Sequence, residues 1–184
     1  MKKGIRLAVV LMLVTSAVFG QKYFTKEGKI TFTSETPLEK IEAVNNSTVS
    51  IWDLESGRME FAALIKAFQF EKALMQEHFN ENYMESDKFP KATFKGQIAN
   101  IKEVDLSKDG TYDVIVKGPL TIHGETKEIE TNGKIIVTGG VPSSEASFPL
   151  TVADYGIEIP GVVRDNIAKE VQVVVRCEYK PYKK

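Results

Sequence analysis

Residues 74–96 read LMQEHFNENYMESDKFPKATFKG, and the change of rhythm inside them decides the fold. Leu74 and His78 stand four apart, as do Phe79 and Tyr83, which is the spacing of neighbours on one helix face. Phe89-Pro90 then stops the helix, because a residue before proline is pushed out of the α region. Ala92, Phe94 and Gly96 recur at every second position, as on one face of a strand. A helix that hands an aromatic face to a strand suits the closure of one end of a barrel.

Upstream, residues 23–34 alternate as a strand, with an interruption at Gly28 and a stop at Pro37. Residues 41–44 and 49–52 are short apolar runs on either side of Asn45-Asn46-Ser47, a turn-rich tripeptide. Residues 58–70, RMEFAALIKAFQF, read equally well as helix or strand. Ala62, Leu64, Ile65 and Lys66 are good helix formers, yet Met59, Phe61, Ala63 and Ile65 alternate cleanly, with a phase change near Ala67. The helix then runs from about Glu71 to Met84.

Downstream, residues 91–101 form a strand, and Ser107-Lys108-Asp109-Gly110 is a hairpin signal. Tyr112, Val114, Val116, Gly118, Leu120 and Ile122 share one face of a long strand, with Pro119 implying an edge or bulge. Asn132-Gly133 reads as a second hairpin turn. Residues 139–147 read as a polar Gly/Pro/Ser loop, with a strand beginning at Phe148. The last strand alternates most cleanly: Val171, Val173, Val175, Cys177 and Tyr179 face one way. Eight to ten strands with hairpin-like turns, one helix and no βαβ unit mean an all-β fold, either a closed barrel or a two-sheet sandwich. Long strands and the single internal helix favour the barrel, which also leaves no open edges.

The first twenty of the 184 residues stand apart. Lys2, Lys3 and Arg6 precede an apolar run, and small residues lie before Gln21, so residues 1–20 read as a signal peptide and 21–184 as one mature domain. Without its three basic residues the mature chain has 21 Lys and Arg against 25 Asp and Glu, a net charge of −4. The charges are mixed along the chain. No basic stripe of the kind nucleic acid requires is present. Export with a single cysteine leaves no intramolecular disulfide, and Cys177, inside an alternating strand, reads as a buried inert thiol. The periplasm is the simplest compartment.

Catalytic and metal patterns are absent. His78 and Glu81 stand three apart on the helix, but no third ligand accompanies them, so neither a metal nor a cofactor is expected. No GxSxG, HExxH, CxxC or phosphate-binding glycine loop occurs. Ten phenylalanines and six tyrosines remain, and composition alone favours their filling a solid core. The other reading is an elongated cavity for an apolar ligand.

The ordered set His78-Phe79, Asn82-Tyr83, Lys88-Phe89-Pro90, Phe94-Lys95-Gly96, Leu120-Thr121-Ile122-His123-Gly124 with Thr126-Lys127, and Ala153-Asp154-Tyr155-Gly156 resembles the YceI-like family across the mature chain. One departure is local: Glu125 follows Gly124 where the family often has valine, and Glu128 stands where it has proline. The resemblance implies an extended eight-stranded antiparallel lipocalin-like barrel with one internal helix. It implies strand for residues 58–70 and a tunnel that takes a polyisoprenoid or related amphiphilic lipid. On that reading Phe79, Tyr83, Phe89, Phe94 and Tyr112 are the expected hydrophobic wall. His78 and His123 are the expected head-group contacts. The expected function is binding, carriage or sequestration of a long isoprenoid-like lipid in the cell envelope, with transient membrane contact and no enzymatic activity. Its rivals are an envelope stress-response interaction module without a ligand and a lipid-modifying enzyme. Nothing in the chain indicates an oligomeric state.

Overall fold

A computed structural model describes residues 22–182; the signal peptide read at residues 1–20 lies outside the described residues. Ten strands follow in chain order: β1 (Lys22–Glu35), β2 (Lys40–Asp53), β3 (Arg58–Leu64), β4 (Gln69–Phe70), β5 (Lys91–Ile98), β6 (Gly110–Ile122), β7 (Glu125–Thr138), β8 (Val141–Thr151), β9 (Glu170–Glu178) and β10 (Lys180–Pro181). One short helix, α1 (Ala73–His78), continues as a π-turn over Phe79–Tyr83. Eight strands close in the order β1-β2-β3-β5-β6-β7-β8-β9, and β1 pairs with both β2 and β9 to seal the ring. Every pairing is antiparallel, and β4 and β10 are short outer additions. The barrel is the arrangement that its long alternating strands favour, because closure gives every strand of the ring a neighbour on both sides along at least part of its length.

Residues 58–70 resolve as strand. β3 carries the alternating part, and the phase change becomes a 3-10 turn at Ile65–Ala67 before β4. Tertiary pairing on both sides, to β2 and to β5, overrides the local helix propensity.

Three expected turns need correction. Asn45-Asn46-Ser47 is no turn but part of β2, where the ladder to β1 shifts register. Asn45 is fully buried; its amide donates to the Leu64 carbonyl at 3.0 Å and its side-chain oxygen accepts from the Ser47 N–H at 2.8 Å. The side chain thus satisfies the backbone of a bulge, a task for which Asn is as suited as for a turn. Asn132-Gly133 likewise lies inside β7, paired to Ile115 and Val114 on β6. Gly133 is there for close approach: a Cβ would stand 3.1 Å from the Glu145 carbonyl oxygen on β8. The loop read at 139–147 shrinks to Gly139-Gly140, both at positive φ, and β8 begins at Val141. This two-residue reversal, like His123-Gly124 between β6 and β7, needs left-handed backbone at both positions.

The two ends of the barrel differ. At one end, the base, Tyr23, Trp52, Met59, Ile98, Val137 and Tyr179 pack into a solid core. The 99–109 connection closes it from below with Ile101, Val104 and Leu106. At the other end stand the β1–β2 hairpin, α1 with its π-turn, the His123-Gly124 turn and the segment 152–169. The sequence-level choice between solid core and cavity therefore has a divided outcome: the base is packed, and the interior above it is hollow.

Candidate functional site: an apolar cavity within the barrel

The hollow part is a cavity of about 510 Å³. Its wall comes from the inward parity of the barrel strands: Ile30 and Phe32 of β1, Phe61 and Ala63 of β3, Phe94 of β5, and Val171, Val173 and Val175 of β9. Period-two alternation is the reason, since every second side chain of a closed sheet must point inside. Val114 and Ile135 belong both to the packed base and to the cavity lining, so they form its floor.

α1 supplies the closure on one side. Phe79, at the start of the π-turn, packs against three rings: its centroid lies 5.4 Å from Phe32, 5.8 Å from Phe68 and 5.0 Å from Phe70. The Met84 N–H donates to the Phe79 carbonyl at 2.9 Å, the five-residue step that widens a helix by one residue. That extra residue carries the phase from the helix to Tyr83 and Met84, both of which line the cavity. Burial raises the Tyr83 hydroxyl above its ordinary pKa, so the group enters the cavity as a neutral phenol.

A second closure comes from residues 156–167. Ile157, Ile159, Val163 and Ile167 face the cavity. The β7–β8 ladder ends at Gly133 and Ala146, above which β8 continues paired to β9 alone, and the turn Val152–Tyr155 just ahead of this segment contacts β7. The segment's ends are tied by polar contacts. The Ala168 N–H donates to Ser34 Oγ at 2.8 Å, and Asn166 Nδ2 donates to Glu39 Oε2 at 3.1 Å. At the other end, His123 Nδ1 lies 3.1 Å from the Tyr155 carbonyl oxygen.

Of the residues expected at the site, Phe79, Tyr83, Phe94 and His78 line the cavity, His78 from the exposed face of α1. Phe89, Tyr112 and His123 lie outside the lining. Phe89 is turned edge-on to the His123 ring, with centroids 4.7 Å apart, and Gly124 fits beneath it. Tyr112 stands at the base, its hydroxyl 2.8 Å from the Asp105 carbonyl oxygen and 3.0 Å from that of Lys108. His123 has both ring nitrogens engaged: Nε2 is 3.0 Å from Glu85 Oε2, opposite the Tyr155 contact. The ring thus bridges a carboxylate and a backbone carbonyl. Glu85 and His123 are also the two non-glycine residues at positive φ among those described. Their pairing holds two left-handed turns together.

Sequence reading missed Phe32, Phe61, Phe68 and Phe148 as lining residues, although the strand parity of Ile30 and Phe32 carried the signal. It missed Glu39 and Asn166 at the mouth, for which no local pattern exists. Cys177 is buried beneath the floor, and desolvation pushes its thiol up to about 11, as befits an inert side chain. Among the described residues no three His, Cys, Asp or Glu side chains converge to hold a metal.

The fold recurs in solved structures. A polyisoprenoid binding domain from Saccharophagus degradans, implicated in plant cell wall breakdown, superposes with a TM-score of 0.77 over 88% of this chain and 98% of that one, at 13% identity. BcnA of Burkholderia cenocepacia gives 0.69 over 83% and 96%, at 15% identity. A YceI protein of Campylobacter jejuni gives 0.52 over 100% and 94%, at 14% identity. At these identities the likeness is one of fold. A UPF0312 protein of Vibrio cholerae serotype O1 is 31% identical over 86 residues, 44% of this chain and 42% of that protein, so the match spans less than half the length of this relative. The model of the YceI-like domain matches residues 11–179. With that match running along all eight barrel strands, the chain belongs to the YceI-like family.

Proposed function

We propose that this protein binds a long apolar, isoprenoid-like lipid inside the barrel and carries or sequesters it in the cell envelope. The observation that supports this reading is the cavity: about 510 Å³, walled by phenylalanines and branched aliphatics and floored by a packed base. Removing a hydrocarbon chain from water contributes about 0.8 kcal/mol per methylene, which needs no directional partner along the tunnel. Phe32, Phe79, Tyr83 and Phe94 would form the wall against the chain, and His78 would offer a polar contact to its head group. The activity is binding rather than turnover. The signal peptide read at residues 1–20 supports the periplasm as the compartment.

The test is organic extraction of the purified mature protein followed by lipid mass spectrometry, with native mass spectrometry to count bound molecules. A stoichiometric prenyl lipid is the expected result. Protein that emerges empty and takes up neither a prenol nor a straight-chain alcohol of equal carbon number would end the proposal. Equal uptake of both alcohols would remove the isoprenoid preference and leave lipid binding.

A further inference from the structure

Three side chains around the cavity mouth are exposed in a way their chemistry does not favour. Val162 is 92% exposed, Leu38 70% and Leu74 62%, the three highest values among the exposed large apolar side chains of the described residues. They sit on three separate elements: the 3-10 turn Gly161–Val163, the β1–β2 hairpin and α1. Each immediately precedes a residue that lines the cavity, namely Val163, Glu39 and Met75. One backbone step is about 3.8 Å. Leu38, Leu74 and Val162 are thus each exposed one residue away from the cavity lining.

A single carboxylate gathers these elements. Glu39 Oε1 lies 3.6 Å from Lys72 Nζ, just ahead of α1, and Glu39 Oε2 accepts from Asn166 of the covering segment. These contacts bring together the hairpin that carries Leu38, the start of the helix that carries Leu74 and the segment that carries Val162. Neighbouring charges are mixed: Lys40, Lys72 and Arg164 stand among Glu35, Glu71 and Asp165. No basic excess would draw the rim to anionic lipid.

We propose that this rim docks on a bilayer, with Leu38, Leu74 and Val162 entering between lipid head groups so that the mouth faces the hydrocarbon. The inference rests on the lipid-carrier reading and names the surface through which such a carrier exchanges cargo. A long prenyl chain is nearly insoluble in water, so its transfer is easiest where the cavity and the bilayer core are continuous. Narrow tips on three elements suit insertion among mobile head groups better than pairing with a rigid protein face. The attraction is aliphatic burial, so it does not depend on lipid charge or salt.

The mature chain is floated with phosphatidylcholine vesicles and, separately, phosphatidylglycerol vesicles, at low and high salt. The wild type should partition onto both to a similar extent, independently of salt. L38S/L74S/V162S should lower partitioning by about tenfold or more, as expected for removing three buried aliphatic groups. V141S, which removes an exposed valine at the opposite end of the barrel, should leave it unchanged. Circular dichroism and the fluorescence of Trp52 check that each variant is folded. A wild type that does not float, a triple variant that floats like the wild type, or binding that follows phosphatidylglycerol and disappears in salt would each overturn the proposal. So would a dimer, seen by sedimentation, that the triple substitution dissociates. Loading with a prenol from detergent separates the two readings. The triple variant should load like the wild type. A wild type that floats but never loads would refute carriage and leave the docking surface standing.

Discussion

His123 shows how one side chain ties together loops that are far apart in sequence. Its two nitrogens face a carboxylate and a carbonyl, and its backbone is left-handed. His123→Asn tolerates the left-handed backbone but loses the ring and both contacts. We expect a loss of about 1.5–3 kcal/mol, read as a lower urea midpoint without a change in slope. A loss below about 0.5 kcal/mol would mean that the loops hold without the ring. Cys177 makes the opposite case, a group whose environment keeps it uncharged. Below its ordinary value of 9.0 the folded and unfolded chains both hold the proton, so the residue is silent. Between 9.0 and about 11 the unfolded chain releases a proton that the folded chain keeps, so stability falls as pH rises. The loss reaches about 2–3 kcal/mol. Tyr179, raised in the same direction by burial, adds to it. Cys177→Ala should remove the cysteine part of this slope, measured by denaturant titration from neutral pH to pH 11. Parallel curves for wild type and variant would refute it.

At the scale of elements, the ladder between β5 and β6 is interrupted where Gly96 and Gly118 lie against each other. The ladder between these strands has no pairs from Lys95 to Gly96, where Pro119 is also placed, so the proline costs no bond on that side. A Cβ on Gly118 would stand 2.5 Å from Gly96 Cα and 2.7 Å from the Lys95 carbonyl oxygen, with backbone that cannot yield cheaply. Gly118→Ala should therefore destabilise the barrel by about 1–3 kcal/mol, seen as a lower thermal midpoint. Gly139→Ala, with nothing within 4 Å, meets only the strain of its turn and separates packing from backbone preference. The sequence made Pro119 legible as an irregularity. It did not show that two glycines on different strands permit it, because that contact exists only after pairing.

For the molecule as a whole, the question is how a barrel this size stays partly empty. The base satisfies the packing requirement with Trp52, Tyr179 and their neighbours, which leaves the upper wall free to remain hollow. Val173 faces the cavity between Phe32 and Phe148, its strand partners on β1 and β8. Val173→Phe adds volume there. In a solid core that change would cost about 1–3 kcal/mol; in the hollow it should leave the unfolding free energy nearly unchanged and lower lipid uptake at least tenfold. Stability that falls while uptake persists would contradict the cavity as the binding volume.

The alternation of β1, β6 and β9 and the helix-to-strand change at Phe89-Pro90 were determined by sequence alone, because side-chain period and proline geometry are local properties. So was the aromatic character of the closure around Phe79 and Tyr83. The closure of the ring by β1 on β9, the continuity of β2 and β7 through Asn45 and Gly133, and the division into packed base and hollow top were decided only in the tertiary structure. An Asn or Gly serves a turn or a bulge equally well by itself, and only the neighbouring strand selects between them. Residues 74–96 announced that something closes the barrel; Glu39, Asn166 and the 156–167 segment, gathered from elsewhere in the chain, define its mouth.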